Sequence, residues 1–130
     1  MRTKLPYILI ALLALVLLSG TDAARNRTDA PTRSTASAAR GQRFFHGTCA
    51  LCHGENGQGK PGLGKDLVHQ SDWMKQQTDA MLVAFVKEGR PSTTDPSFKV
   101  PMLPRGGDPT LTDADLADIV AYIRVLQQAR

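Results

Sequence analysis

Apolar residues recur at helical spacing near the C-terminal end of the chain, where the pattern is clearest. They stand three or four positions apart, which places them on one face of a helix. Thr112 precedes them as a natural N-cap, and Asp113 and Asp115 favour the positive end of the helix dipole. The predicted apolar stripe consists of Leu116, Ile119, Val120, Ile123 and Leu126.

Three shorter helices are predicted upstream. Thr78 caps a helix over residues 79–87, which ends at Gly89. A short helix begins at residue 39, and residues 72–75 form one turn. Gly41 lowers the helix propensity of the first of these, so we expect it to permit the close approach of another helix. The apolar stripe of the helix over residues 79–87 consists of Met81, Leu82, Phe85 and Val86.

The remaining segments are predicted loops. Residues 54–64 contain five glycines, and residues 92–108 contain three prolines, so neither segment favours a regular element. No stretch alternates apolar and polar residues as a strand does. The expected fold class is therefore all-α.

The N-terminal segment predicts export. Residues 1–23 combine a basic start, an apolar run from Leu5 to Leu18 and small residues at the exit, which is typical of a signal peptide. The run is shorter than the roughly 20 residues of a spanning helix, but a retained anchor has a similar pattern and would bind the membrane through residues 5–20. Residues 24–38 are polar and predict a flexible linker, which leaves residues 39–130 as the domain. The expected location is the periplasm or the outer face of the cytoplasmic membrane.

The charge distribution argues against nucleic-acid binding. The chain has 16 basic and 12 acidic residues, a net charge of +4. Residues 1–40 hold six of the basic and two of the acidic residues, so residues 41–130 hold ten of each. The expected domain is thus electrically balanced and lacks the basic excess that a nucleic-acid interface needs.

The sequence Cys49-Ala50-Leu51-Cys52-His53 carries the chemistry. Two thiols one helical turn apart, followed by a histidine, are the pattern of a c-type haem attachment site, with His53 as the proximal iron ligand. A thioredoxin-like pair requires a βαβ pattern, and a closed zinc site requires four ligands. The chain has no βαβ pattern and only two cysteines. With no disulfide available, we expect the haem to stabilise a thin core.

Four side chains compete for the other face of the iron. Met81 and Met74 are expected in the core, and His69 would give a bis-histidine iron. Met102 stands between Pro101 and Pro104, where proline stiffens the loop enough to aim one side chain. We therefore expect Met102 to be the second iron ligand. His46 lies too close to the motif to reach that face, and we expect it at the surface.

Together these segments resemble the class I cytochrome c family, specifically its small bacterial monohaem domains. The resemblance covers about residues 39–126, and its order and spacing extend well beyond the five-residue motif. It implies three to five short helices around one covalently attached haem c, with the first and last helices crossing near Gly41 and Tyr122 and with Phe44 against the haem. Many relatives have proline where this chain has Lys65, and the resemblance implies that the carbonyl at this position accepts a hydrogen bond from the proximal histidine. The matching segments are residues 41–44, 49–59, 64–67, 82–89, 102–107 and 118–123.

The expected function is single-electron transfer between larger redox proteins. Cys49 and Cys52 would bind the haem covalently, and His53 and Met102 would complete six coordination, leaving no open position for a small-molecule substrate. The protein is thus expected to be no enzyme, and to exchange electrons through a haem edge near Ala50 and Leu51. Two alternatives remain open, namely a membrane-tethered cytochrome subunit of a terminal oxidase or dehydrogenase, and a haem enzyme or gas sensor with an open sixth position.

Overall fold

The computed structural model describes residues 34–69, 72–91 and 100–129. The expected signal or anchor at residues 1–23 and most of the expected linker lie outside the described residues. Among the described residues, no helix combines the length and the apolar character needed to cross a membrane.

The described residues are helical and contain no strand, which confirms the expected all-α fold. Strand-like pairing of the described residues is limited to two isolated β-bridges, Lys60 with Gly64 and Arg90 with Met102. The elements are α1 (residues 34–44), a π-helical segment (Phe45–Cys49), α2 (Ala50–His53), α3 (Asp72–Gln76), α4 (Asp79–Glu88), a 3₁₀ segment (Pro104–Gly107) and α5 (Asp113–Gln128).

Helix α1 extends further toward the N-terminus than the sequence predicts. Residues 34–38, assigned above to the flexible linker, are helical. Ala38 is buried, and the Ser37 hydroxyl donates a hydrogen bond to the Asp118 carboxylate on α5. These contacts with a distant part of the chain extend a segment that has no apolar periodicity of its own.

Helices α1 and α5 cross at Gly41, as predicted. A Cβ atom at this position would lie 1.8 Å from the carbonyl oxygen of Asp118, so only glycine permits the approach. The buried Asp118 carboxylate accepts hydrogen bonds from Arg40 Nε at 2.7 Å and Nη2 at 3.0 Å. One turn further along both helices, the rings of Phe45 and Tyr122 meet edge to face with centroids 5.4 Å apart.

The apolar stripe of α5 forms the centre of the core. Leu116, Ile119, Val120 and Ile123 are at most 4% exposed and pack in one cluster with Phe45. The helix begins with a capping box. In this box Asp115 N donates to the Thr112 hydroxyl at 3.2 Å, and Thr112 N donates to the Asp115 carboxylate at 2.8 Å.

Helix α4 packs against α5 through Leu82, and the expected N-cap is confirmed, since Met81 N donates to the Thr78 hydroxyl at 3.2 Å. The expectation that Met81 faces the core is wrong, because its side chain is 55% exposed. Leu82 instead occupies the buried face at 2% exposure. Adjacent helix positions are about 100° apart, so one position decides which side chain points inward.

Candidate haem site

The two cysteines and the histidine lie on one continuous helical path. Cys49 ends the π-helical segment with φ −75° and ψ −35°, so the chain passes into α2 without a break. Cys49 and Cys52 are three residues apart and therefore share a face of this path. Both side chains are half-buried. Sequence patterns do not reveal the π-helical segment, although such segments are frequent at functional sites.

The His53 imidazole is oriented by a backbone carbonyl. Its Nδ1 lies 2.8 Å from the carbonyl oxygen of Lys65. Because a carbonyl only accepts hydrogen bonds, Nδ1 carries the proton and Nε2 is the nitrogen left to bind a metal. The carbonyl contact implied by the resemblance is thus made by lysine where many relatives have proline.

The loop that presents this carbonyl lies against the motif backbone. A Cβ atom at Gly64 would lie 2.5 Å from the carbonyl oxygen of Cys52 and 3.1 Å from the nitrogen of His53. Gly59 N donates to the His53 carbonyl at 2.7 Å, and Lys60 N and the Gly64 carbonyl are 3.0 Å apart. The loop is therefore tied both to itself and to the helix that carries His53.

Local electrostatics favour the ligand form of His53. Burial lowers the pKa of the imidazole, and the nearby Arg90 charge lowers it further, although the bond to Lys65 opposes both effects. A neutral imidazole is the form that binds a metal.

The environment of Cys49 fits an uncharged sulfur. Burial raises the pKa of this thiol to about 11, with the neighbouring Cys52 adding to the shift. A reactive redox cysteine and a zinc ligand both need a thiolate, which this environment disfavours. In addition, no group of three or more His, Cys, Asp or Glu side chains within the described ranges is placed to hold a metal ion. A thioether bond to a haem leaves the sulfur neutral, which fits this buried position.

Met102 is held by backbone hydrogen bonds in both directions. Arg90 N donates to the Met102 carbonyl at 2.7 Å, and Met102 N donates to the Arg90 carbonyl at 2.8 Å. Gly89 makes this pairing possible, since its φ is +72° and a Cβ there would lie 2.5 Å from the Met102 carbonyl oxygen. The Met102 side chain itself is half-buried.

The turn that follows Met102 lies against the start of the motif. A Cβ at Gly106 would lie 2.9 Å from Cγ2 of Thr48 and 3.8 Å from Sγ of Cys49. The motif therefore has the Lys65 loop at its C-terminal end and the Met102 loop at its N-terminal end. The axial ligands that the sequence predicts are His53, on the helix beside the first of these loops, and Met102, on the second.

The other axial candidates have different surroundings. Met74 is 8% exposed and belongs to the core cluster, as predicted, whereas Met81 is exposed at the first turn of α4. His69 Nδ1 lies 2.9 Å from the Asp66 carboxylate. His46 is exposed, as expected, and lies 3.0 Å from the Glu55 carboxylate and 3.3 Å from the Tyr122 hydroxyl.

Several apolar side chains next to the motif do not pack into the protein core. Leu51 is 75% exposed, Leu63 in the Lys65 loop 44% and Leu103 beside Met102 55%. Ala50, expected near the haem edge, is 2% exposed and belongs to the core cluster.

Comparison with known proteins agrees with the geometry. A family model described as Cytochrome c matches residues 38–127, well over half of the chain. Three similar proteins are each described as "Cbb3-type cytochrome c oxidase subunit FixP". Those of Bradyrhizobium diazoefficiens and Bradyrhizobium sp. strain ORS 278 are 30% and 32% identical over 66 residues, which is 51% of this chain and 23% of each relative. That of Azorhizobium caulinodans is 28% identical over 105 residues, 81% of this chain and 32% of the relative. The chain thus spans a third or less of the length of these relatives. No solved structure matches the chain.

Proposed function

Because this chain belongs to the cytochrome c family, we propose that it is an exported monohaem electron carrier whose iron is bound by His53 and Met102. The domain carries covalently attached haem c, for which Cys49 and Cys52 provide the thiols. When bound, the haem supplies a one-electron couple between ferric and ferrous iron. The protein residues hold, orient and shield this group.

The paired backbone hydrogen bonds between Arg90 and Met102 carry the proposal. They fix the main chain of Met102 while the following turn rests against Thr48 and Cys49. On the opposite end of the motif, the Lys65 carbonyl fixes the His53 tautomer. Two protein ligands leave the iron no position for substrate, and methionine ligation raises the reduction potential, so electron transfer is the chemistry that this arrangement favours.

The axial assignment is tested with Met102→Ala in the purified haem-loaded protein. The haem should remain attached under denaturing conditions, since both cysteines are intact. The weak long-wavelength absorption band of ferric iron bound to a thioether sulfur should disappear, and imidazole should bind the opened position readily. Met81→Ala is the matched control, because Met81 is exposed, and it should keep the band. The assignment is refuted if the band persists in Met102→Ala. Its loss in Met81→Ala, or in the buried-site variant Met74→Leu, would then identify the other methionine as the ligand.

A second candidate function is that of a cytochrome subunit in a terminal oxidase complex. The relatives named above are described as oxidase subunits, which favours this candidate. The two functions differ in what happens to residues 1–23. Cell fractionation with N-terminal sequencing of the mature protein distinguishes them. A cleaved protein recovered from the periplasm supports the free carrier, whereas an intact N-terminus that co-purifies with oxidase subunits from membranes supports the subunit.

A further inference from the structure

Arg105 has an unusual backbone conformation in the turn after Met102. Its φ of 55° and ψ of 26° lie in the left-handed region, and it is the one residue other than glycine with positive φ among those described. This conformation is unfavourable for a side chain with a Cβ atom, and it persists only where the surroundings impose it. The adjacent Gly106 also has positive φ, at 68°, without this cost.

The Arg105 side chain provides the constraint. Its Nη1 donates to the carbonyl of the buried Leu111 at 2.5 Å, and its Nη2 donates to the Asp113 carboxylate at 2.8 Å. Asp113 is the first residue of α5 and also accepts a hydrogen bond from Lys87 of α4 at 2.7 Å. The guanidinium therefore ties the turn to α5 directly and to α4 through a shared carboxylate.

These contacts place Arg105 between the ligand loop and the rigid part of the domain. Met102, three residues earlier in the chain, is paired with Arg90 at the end of α4, and Gly106 rests against Thr48 and Cys49. The segment from Met102 to Gly106 is thus held at Arg90 upstream and at Arg105 downstream. Release of either end frees the loop to move away from the motif without unfolding the helices, which have their own core.

We propose that Arg105 is a positioning residue that keeps the Met102 loop closed over the iron, an inference that rests on the assignment of Met102 as axial ligand. An exposed ion pair alone contributes little to stability, and Arg105 differs from that case. Its side chain is 23% exposed and binds a backbone carbonyl as well as a carboxylate, and its backbone conformation is costly without those contacts.

Imidazole binding to the ferric protein reports the open state of the loop. Imidazole reaches the iron only when Met102 has left, so its apparent affinity equals its intrinsic affinity multiplied by the open fraction. Arg105→Gln removes the charge-assisted contacts but keeps a residue with a Cβ atom at this left-handed position. It should raise the apparent imidazole affinity about tenfold and weaken the long-wavelength band. Arg105→Lys keeps the charge but not the forked geometry, and should have an intermediate affinity.

Arg124→Gln is the matched control. The Arg124 side chain is 21% exposed and donates to the Asp79 carboxylate and to the Met74 and Gln77 carbonyls, away from the ligand loop. It should lower global stability without changing imidazole affinity. Equal imidazole affinities for Arg105→Gln, Arg124→Gln and the unmodified protein overturn the inference, as does an equal rise in both variants. Failure of the axial assignment gives a different result, since the unmodified protein then shows the same band and imidazole affinity as Met102→Ala. If Arg105→Gln does not fold, the imidazole affinity of Arg105→Lys is compared with those of Arg124→Gln and the unmodified protein in the same way.

Discussion

Gly64→Ala should both destabilise the domain and raise its reduction potential. The added Cβ would lie 2.5 Å from the Cys52 carbonyl oxygen and 2.7 Å from its carbon. These are backbone atoms of the helix that carries the haem motif, so no side-chain rotation relieves the contact. The loop must move instead, and Lys65 follows directly, so its carbonyl is displaced from His53 Nδ1.

The magnitude has two parts. Overpacking against a backbone costs about 1–3 kcal/mol of unfolding free energy. The lost hydrogen bond to His53 adds about 0.5–1.5 kcal/mol, for an expected total of about 1.5–4.5 kcal/mol. That bond also makes the imidazole more basic, which favours ferric over ferrous iron. If its loss removes about 1 kcal/mol of this preference, the potential rises by about 40 mV for a one-electron couple.

Denaturant unfolding and a potentiometric titration followed by absorbance measure the two effects. Gly41→Ala is the matched control, because its Cβ also meets backbone, 1.8 Å from the Asp118 oxygen, but at the helix crossing rather than at the Lys65 loop. It should lose stability and keep the potential. Gly47→Ala, with nothing within 4 Å of its Cβ, should keep the potential and lose no stability. The reasoning is refuted if Gly64→Ala retains full stability, or if its potential shifts no more than that of Gly41→Ala.

Four other outcomes are expected. Alanine at both Cys49 and Cys52 should release the haem on denaturing extraction and abolish cooperative unfolding by circular dichroism; a cooperatively folded haem-free domain would contradict this. Gly89→Ala should weaken the long-wavelength band, because its Cβ would lie 2.5 Å from the Met102 carbonyl oxygen; an unchanged band counts against that contact. Hydrogen bonds from Lys87, then Arg105, lower the pKa of Asp113, so their stabilisation is present above about pH 4 and is lost as pH falls through the depressed pKa. The band should therefore weaken in acid, and Asp113→Asn should weaken it at neutral pH; acid titrations that coincide for both proteins would refute this. Because residues 41–130 are balanced in charge, the stopped-flow rate of electron transfer to the physiological partner should fall less than about tenfold from low to physiological salt, and a steeper fall would reveal a dominant charged patch.

Features that depend on near neighbours are predictable from the sequence. The capping box at Thr112 is a side-chain pattern within four positions. The apolar stripe of α5 follows from the 3.6-residue period of an amphipathic helix. The pattern Cys49-x-x-Cys52-His53 is equally local, because one helical turn sets the spacing of the thiols. The family, the helical class and the attached haem follow from such patterns.

The tertiary structure determines which distant residues pack against each of these local elements. A glycine in the sequence shows only that a Cβ is absent, and the packing of the folded chain determines which atom lies next to it. At Gly64 this atom is the Cys52 carbonyl oxygen, and at Gly106 it is the Thr48 methyl carbon. The helical conformation of residues 34–38 depends on Asp118, and the left-handed turn at Arg105 depends on Leu111 and Asp113.

The exposure of Met81 shows the same division. Its spacing in the sequence predicts a position in the core, but in the folded domain Leu82 lies in the core cluster and Met81 does not. Local spacing determines which residues share a helix face, but the rotation of that helix in the domain depends on contacts with distant residues. Therefore the sequence alone predicts the haem-binding helix and its ligand types, whereas only the folded chain shows that Lys65 contacts His53, that Arg90 pairs with Met102 and that Arg105 binds Leu111.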